Sequence, residues 1–142
     1  MKQKLNLKTV IGMGVGILVA AILYQIVIPK LFAPSFDSQL MHIASEMNKN
    51  CPIMIDSETR LDNAIAGDGK TIYYSYTLVN YDKNDIDVDR FESIMKPQIL
   101  NVIKTNPEMK SLRNNDVTFV YNYKDKSSIH ITSIKYSPKD YK

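Results

Sequence analysis

The chain has 142 residues with 18 Lys and Arg against 15 Asp and Glu, one Cys and no Trp, enough for a single ordinary domain and too little for a multidomain enzyme. With Lys2, Lys4, Lys8 and Lys30 set aside, residues 31–142 carry 14 basic against 15 acidic side chains. The basic excess therefore belongs to the first segment, and no nucleic-acid partner is expected.

Residues 1–8 read as a cytoplasmic tail. Thr9 to Ile28 is a run of twenty residues without a charge, long enough to cross about 30 Å of hydrocarbon, and Pro29 closes a transmembrane helix over 9–29. Three lysines precede this run and few follow it, so the positive-inside bias puts the N-terminus in the cytoplasm and the remainder outside a bacterial inner membrane. A cleaved signal peptide is the rival reading; its apolar core is usually shorter, and Leu31 is bulky where cleavage after Ala33 needs a small residue. Gly12, Gly16 and Ala20 recur every fourth residue, a small-residue stripe through which two such helices could pair as a homodimer, although Gly and Ala are common in membrane helices.

Residues 30–35 form a short connector, and 36–142 an extracytoplasmic α+β domain. Ser35 or Asp37 can cap a helix bearing Leu40, Met41, Ile43, Ala44 and Met47 at helical spacing, which stops at Cys51 and Pro52. A short PIMI strand, a polar stretch and a turn at Gly67 to Gly69 follow. Next is the clearest strand, TIYYSYTLVNY, which sends Ile72, Tyr74, Tyr76 and Leu78 to one face and Tyr73, Ser75, Thr77 and Val79 to the other. Val88, Phe91, Ile94, Met95, Ile99, Leu100 and Ile103 keep a helical period that Pro97 should kink or restart. Asn106 and Pro107 open a last helical turn bearing Met109 and Leu112. Val117 to Tyr123 and Ser128 to Tyr136 form a hairpin about Asp125 and Lys126. The expected architecture is helix, hairpin, kinked helix, hairpin, with the helices packed on an antiparallel sheet of about four strands.

Chemistry-bearing motifs are few. Cys51 is the lone thiol; burial is the plain reading, and a thiol-dependent enzyme is the sharp one, with His42 and His130 the only histidines to serve as base. The run Asp82, Asn84, Asp85, Asp87 and Asp89 fails as a calcium loop, since Arg90 and Lys96 stand where Gly and Glu are needed. No metal, cofactor or catalytic residue is assigned. Two surfaces are candidates for contact with a partner: a patch of Cys51, Asp56, Arg60 and Asp62, and an aromatic face of Tyr73, Tyr81, Tyr121 and Tyr123. For Asp56, Thr59, Arg60 and Asp62 the plain reading is a local turn held by side-chain to backbone bonds and a charge pair.

The segment NKNCPIMIDSETRLDNA, Asn48 to Ala64, with YSYTLVNYD, VIKTNPEMKSLR and VTFVYNYKDK, resembles a family of small uncharacterised bacterial exported or membrane-anchored proteins marked by N-x-x-C-P-x-x-[IV]-D-x-x-T-R-L-D. The resemblance implies a bacterial envelope location and carries no activity or ligand. The expected function is a membrane-anchored envelope protein whose small domain binds or scaffolds another envelope protein. A thiol enzyme using Cys51 and a secreted inhibitor or immunity-like protein are the alternatives.

Overall fold

The structure, a computed structural model, describes residues 35–142. The tail, the expected membrane span with Gly12, Gly16 and Ala20, and most of the connector lie outside the described residues. Among those described, no helix is long and apolar enough to cross a membrane.

Helix α1 runs Phe36–Asn48. The Ser35 hydroxyl accepts from the Ser38 amide at 3.3 Å and so satisfies one free donor of the first turn. Leu40, Ile43, Ala44 and Met47 fall on one stripe and are buried, while Met41 points outward. At the far end the Asn48 side chain donates to the Ala64 carbonyl and accepts from the Ala64 amide, both at 2.7 Å, standing in for a neighbouring strand.

Five strands follow: β1 Ile53–Met54, β2 Thr59–Gly67, β3 Thr71–Leu78, β4 Thr118–Asp125 and β5 His130–Tyr136, lying side by side in chain order. Helix α2 (Val88–Thr105) joins β3 to β4, followed by a 3-10 turn and α3 (Lys110–Asn114), and α4 (Pro138–Tyr141) closes the chain. The domain is α+β as expected, but its sheet is mixed and five-stranded rather than antiparallel with about four strands. Two physical causes account for the difference. The 18-residue α2 carries the chain back about 27 Å, so β4 enters at the same end as β3 and pairs with it in parallel. The stretch read as polar contains β2, whose alternation is broken by a bulge: Leu61 faces Tyr76, Asn63 faces Ser75, and Asp62 is the extra residue. Leu61 and Ala64 are thereby both buried, three residues apart, and no simple period-two pattern survives in the sequence.

Pro97 does not end α2, which continues through it to Thr105. Phe91, Met95, Ile99 and Ile103 form the buried stripe, and Pro97 is exposed on the opposite side, where a missing amide hydrogen bond leaves its carbonyl partner open to water. Asn106 accepts from the Glu108 amide as the cap of the following turn, as its sequence suggested. Arg113 donates to the Ile103 and Asn106 carbonyls at 2.6 and 2.7 Å, closing the end of α2.

Among the described residues, the four α-helices all contribute buried residues to one core with the inward side chains of the sheet. Four tyrosines dominate it. Tyr74 and Tyr76 on β3 meet Tyr121 and Tyr123 on β4 with ring centroids 5.1 Å apart for Tyr74 and Tyr121 and 5.3 Å for Tyr76 and Tyr123. Burial pushes all four phenols up. The hydroxyls of Tyr74 and Tyr123 are buried with no hydrogen-bond partner, whereas Tyr136 donates to the Lys96 carbonyl at 2.6 Å and Tyr141 to the Val117 carbonyl at 2.7 Å. Tyr74→Phe and Tyr123→Phe are therefore expected to be neutral or to stabilise by up to about 1 kcal/mol, and Tyr136→Phe and Tyr141→Phe to cost about 1 kcal/mol each in urea titrations.

Candidate functional site

Alternation sends every second side chain to the sheet face that, among the described residues, the helices leave bare. Register arranges those side chains in three rows. Met54, Arg60, Thr77, Lys124 and His130 share the first; Asn63, Ser75, Asn122 and Ser133 the second; Ile65, Tyr73, Val120 and Lys135 the third. The face thus grades from charged through uncharged polar to apolar. Ile65 is 55% exposed, Met54 45% and Tyr73 38%.

The charged row is organised by Asp62. Arg60 Nε meets one carboxylate oxygen at 2.6 Å; Thr77 Oγ1 donates to the other at 2.6 Å, and Lys124 Nζ stands 3.2 Å from it. Arg60 and Asp62, two residues apart, share this face by alternation, and the bulge then adds Asn63 to it. Burial works to raise the Asp62 pKa, but hydrogen bonds from Thr77, Arg60 and Lys124, with the charge of Lys124, outweigh it and hold the carboxyl below its ordinary range. In the apolar row the Tyr73 ring lies across Gly67. A Cβ there would come within 2.6 Å of the ring, so only glycine admits this packing.

The expected patch separates into parts. Asp56 Oδ1 accepts from the Glu58 and Thr59 amides at 2.8 and 2.7 Å, a tight turn into β2. Arg60 and Asp62 form the expected charge pair and extend it across two further strands. Cys51 is a free thiol, half-buried against the core, and burial followed by the Asp62 charge pushes its pKa up. That direction disfavours the thiolate a nucleophile needs.

The aromatic face is corrected in half its members. Tyr121 and Tyr123 are core residues, because inward positions of β4 alternate with Val120, Asn122 and Lys124 on the bare face. Tyr73 is on the bare face. Tyr81 lies just beyond β3, half-buried against the core, its phenol raised by burial and then by Glu58. Sequence reasoning missed Ile65, Val120, Asn122, Lys124 and Lys135; the alternation of β3, which set Tyr73, Ser75 and Thr77 apart, was the signal that could have extended to β4.

The acidic run after β3 has structural employment. Asp82 pairs with Lys126 at 2.8 Å, and Asp87 accepts from the Arg90 amide at 3.0 Å as the cap of α2. Asp125, 1% exposed, accepts from the amides of Lys83, Ser127 and Ile129 and fastens the β4–β5 turn to the loop before α2. Among the described residues, no three His, Cys, Asp or Glu side chains stand close enough to hold a metal.

The fold recurs in solved structures. A Pseudomonas aeruginosa protein described as secreted superposes with a TM-score of 0.60 at 13% identity, over 78% of this chain and all of that one. The Vibrio cholerae type II secretion system pilotin AspS gives 0.56 at 10% identity, over 73% of this chain and 90% of the pilotin. The Vibrio vulnificus type 2 secretion system pilotin EpsS gives 0.58 at 4% identity, over 75% and 91%. At these identities the likeness is one of fold. No curated protein matches the chain. Residues 35–132 match the family described as Domain of unknown function (DUF8479), and the chain belongs to that family.

Proposed function

We propose that this chain is a bacterial envelope protein, held in the cytoplasmic membrane by residues 9–29, whose domain binds another envelope protein on the bare face of its sheet. The observation that carries the reading is the row Ile65, Tyr73 and Val120, two of whose members are exposed apolar side chains on strands otherwise packed against helices. Two further observations support it. The uncharged run Thr9 to Ile28 has the length and flanking lysines of an anchor, and the fold is shared with a protein described as secreted and with two secretion-system pilotins. The N-x-x-C-P-x-x-[IV]-D-x-x-T-R-L-D segment, as the mark of an envelope family, belongs to the same reading. Within it, Asn48, Asp56, Arg60 and Asp62 frame the first two strands, so the pattern serves the scaffold of the face.

A photo-crosslinking residue in place of Tyr73, in intact cells, is expected to form a discrete adduct that the same residue at Lys49 does not. Ile65→Glu should abolish that adduct while changing stability by no more than about 0.5 kcal/mol. An adduct that survives Ile65→Glu would overturn the binding face. A mature species lacking the first 33 residues in the membrane fraction would overturn the anchor.

A further inference from the structure

The two edges of the sheet are treated unequally. On one side β1 is two residues long, and beyond it the amide and carbonyl of Ala64 are both taken by the Asn48 side chain. That edge is closed to a further strand. On the other side lies β5, seven residues bonded to β4 alone. Among the described residues, no backbone or side-chain group bonds to its outer side.

The charges carried by the strand and its flanking turns are basic, and the acids beside it, Glu92, Asp125 and Asp140, are engaged by hydrogen bonds. From Lys126 to Lys139 the sequence KSSIHITSIKYSPK contains no acidic residue. Lys126 is committed to Asp82, whereas Lys135, the sixth of the seven residues of β5 and facing the bare side of the sheet with Ser133, makes no ion pair among the described residues. Glu92, the carboxylate nearest the strand on α2, is occupied by Lys96 and Thr132.

We infer that β5 is a docking edge that takes an extended, acidic segment of a partner protein as a sixth strand, with carboxylates at alternate positions facing Lys135. Backbone pairing supplies the attachment, and the match of carboxylate to Lys135 sets the register. The inference rests on the partner-binding reading, yet it concerns the edge of the sheet rather than its apolar row: β5 is three strand spacings, about 14 Å, from Ile65 on β2. A lysine on an edge strand can also serve to repel strands, and the two roles give opposite results.

The test uses the full-length chain in detergent and the fluorescein-labelled peptide acetyl-Thr-Val-Glu-Val-Glu-Val-Thr-amide. Binding should slow hydrogen exchange in residues 130–136, and the same peptide N-methylated at alternate valines should not bind. Lys135→Glu should weaken binding on the order of fivefold, as an opposite-charge pair becomes a like-charge one. Ile65→Glu should leave peptide affinity unchanged, so failure of the face and failure of the edge are told apart. Equal binding of the N-methylated peptide, protection mapped elsewhere, or Lys135→Ala that leaves affinity unchanged or raises it would overturn the docking edge.

Discussion

Tyr121→Ala is expected to cost about 3–5 kcal/mol, a large part of the 5–15 kcal/mol by which a domain is ordinarily stable. Tyr121 sits in the middle of β4, 2% exposed, with its ring centroid 5.1 Å from that of Tyr74, 6.3 Å from Tyr76 and 6.3 Å from Tyr136. Truncation removes one ring from a stack that bridges three adjacent strands, and neighbours fixed to a sheet cannot collapse into the space. For a domain of this size the thermal midpoint should fall by about 20 °C. Tyr73→Ala, one strand away on the opposite face, should cost well under half as much, because its ring is already 38% exposed beside Ile65 and Val120. Similar costs for the two variants in urea or thermal melts would mean that the sheet's faces have been assigned wrongly.

That contrast also marks what the sequence makes legible. In β3 the alternation Ile72, Tyr74, Tyr76, Leu78 identifies the core face without help from tertiary structure, since each residue obeys the pleat. In α1 and α2 the helical period does the same, with Met41 the one apolar residue that turns outward. Tyr121 and Tyr123 obey the pleat of β4 equally well, but a count of tyrosines available for contact does not say which face of β4 is inward. Only the parallel register with β3 does, and that register is a consequence of the α2 crossover. The bulge at Asp62 hid β2 by the same kind of cause: a local irregularity that puts Asp62 and Asn63 on the bare face in succession leaves a sequence that looks like a loop. Cys51, Asp56, Arg60 and Asp62 are close in sequence, yet strand geometry sends them to different tasks. The Asn48 plug on Ala64, sixteen residues away, and the unpaired edge of β5 have no sequence signal, because both depend on where strands end in space.

The second large effect is expected at acid pH and centres on Asp62. Its carboxyl, 12% exposed, is held below the ordinary range, as are those of Glu92, through hydrogen bonds from Lys96 and Thr132 against burial, and Asp125, where burial is outweighed by three backbone amides. A carboxyl with a folded pKa below its unfolded one binds fewer protons when folded. Its stabilisation is complete above the unfolded value, near 4, and is lost as pH falls through the folded value. The thermal midpoint should therefore be flat from about pH 5.5 to 8 and fall steadily below about pH 4. Asp62→Ala at pH 7 should cost about 1–3 kcal/mol, since Thr77 loses its acceptor while Arg60 and Lys124, each more than a third exposed, return to water. The same variant should lose less on acidification than the parent chain, because one of the protonating groups is gone. Thr77→Val tests the assignment independently: it leaves the charges in place and removes the shortest route by which β3 is tied to the bulge, so it should lower the midpoint at pH 7 and move the acid transition upward. An Asp62→Ala chain whose acid transition coincides with that of the parent would show that the three-strand clamp is not what acid dismantles.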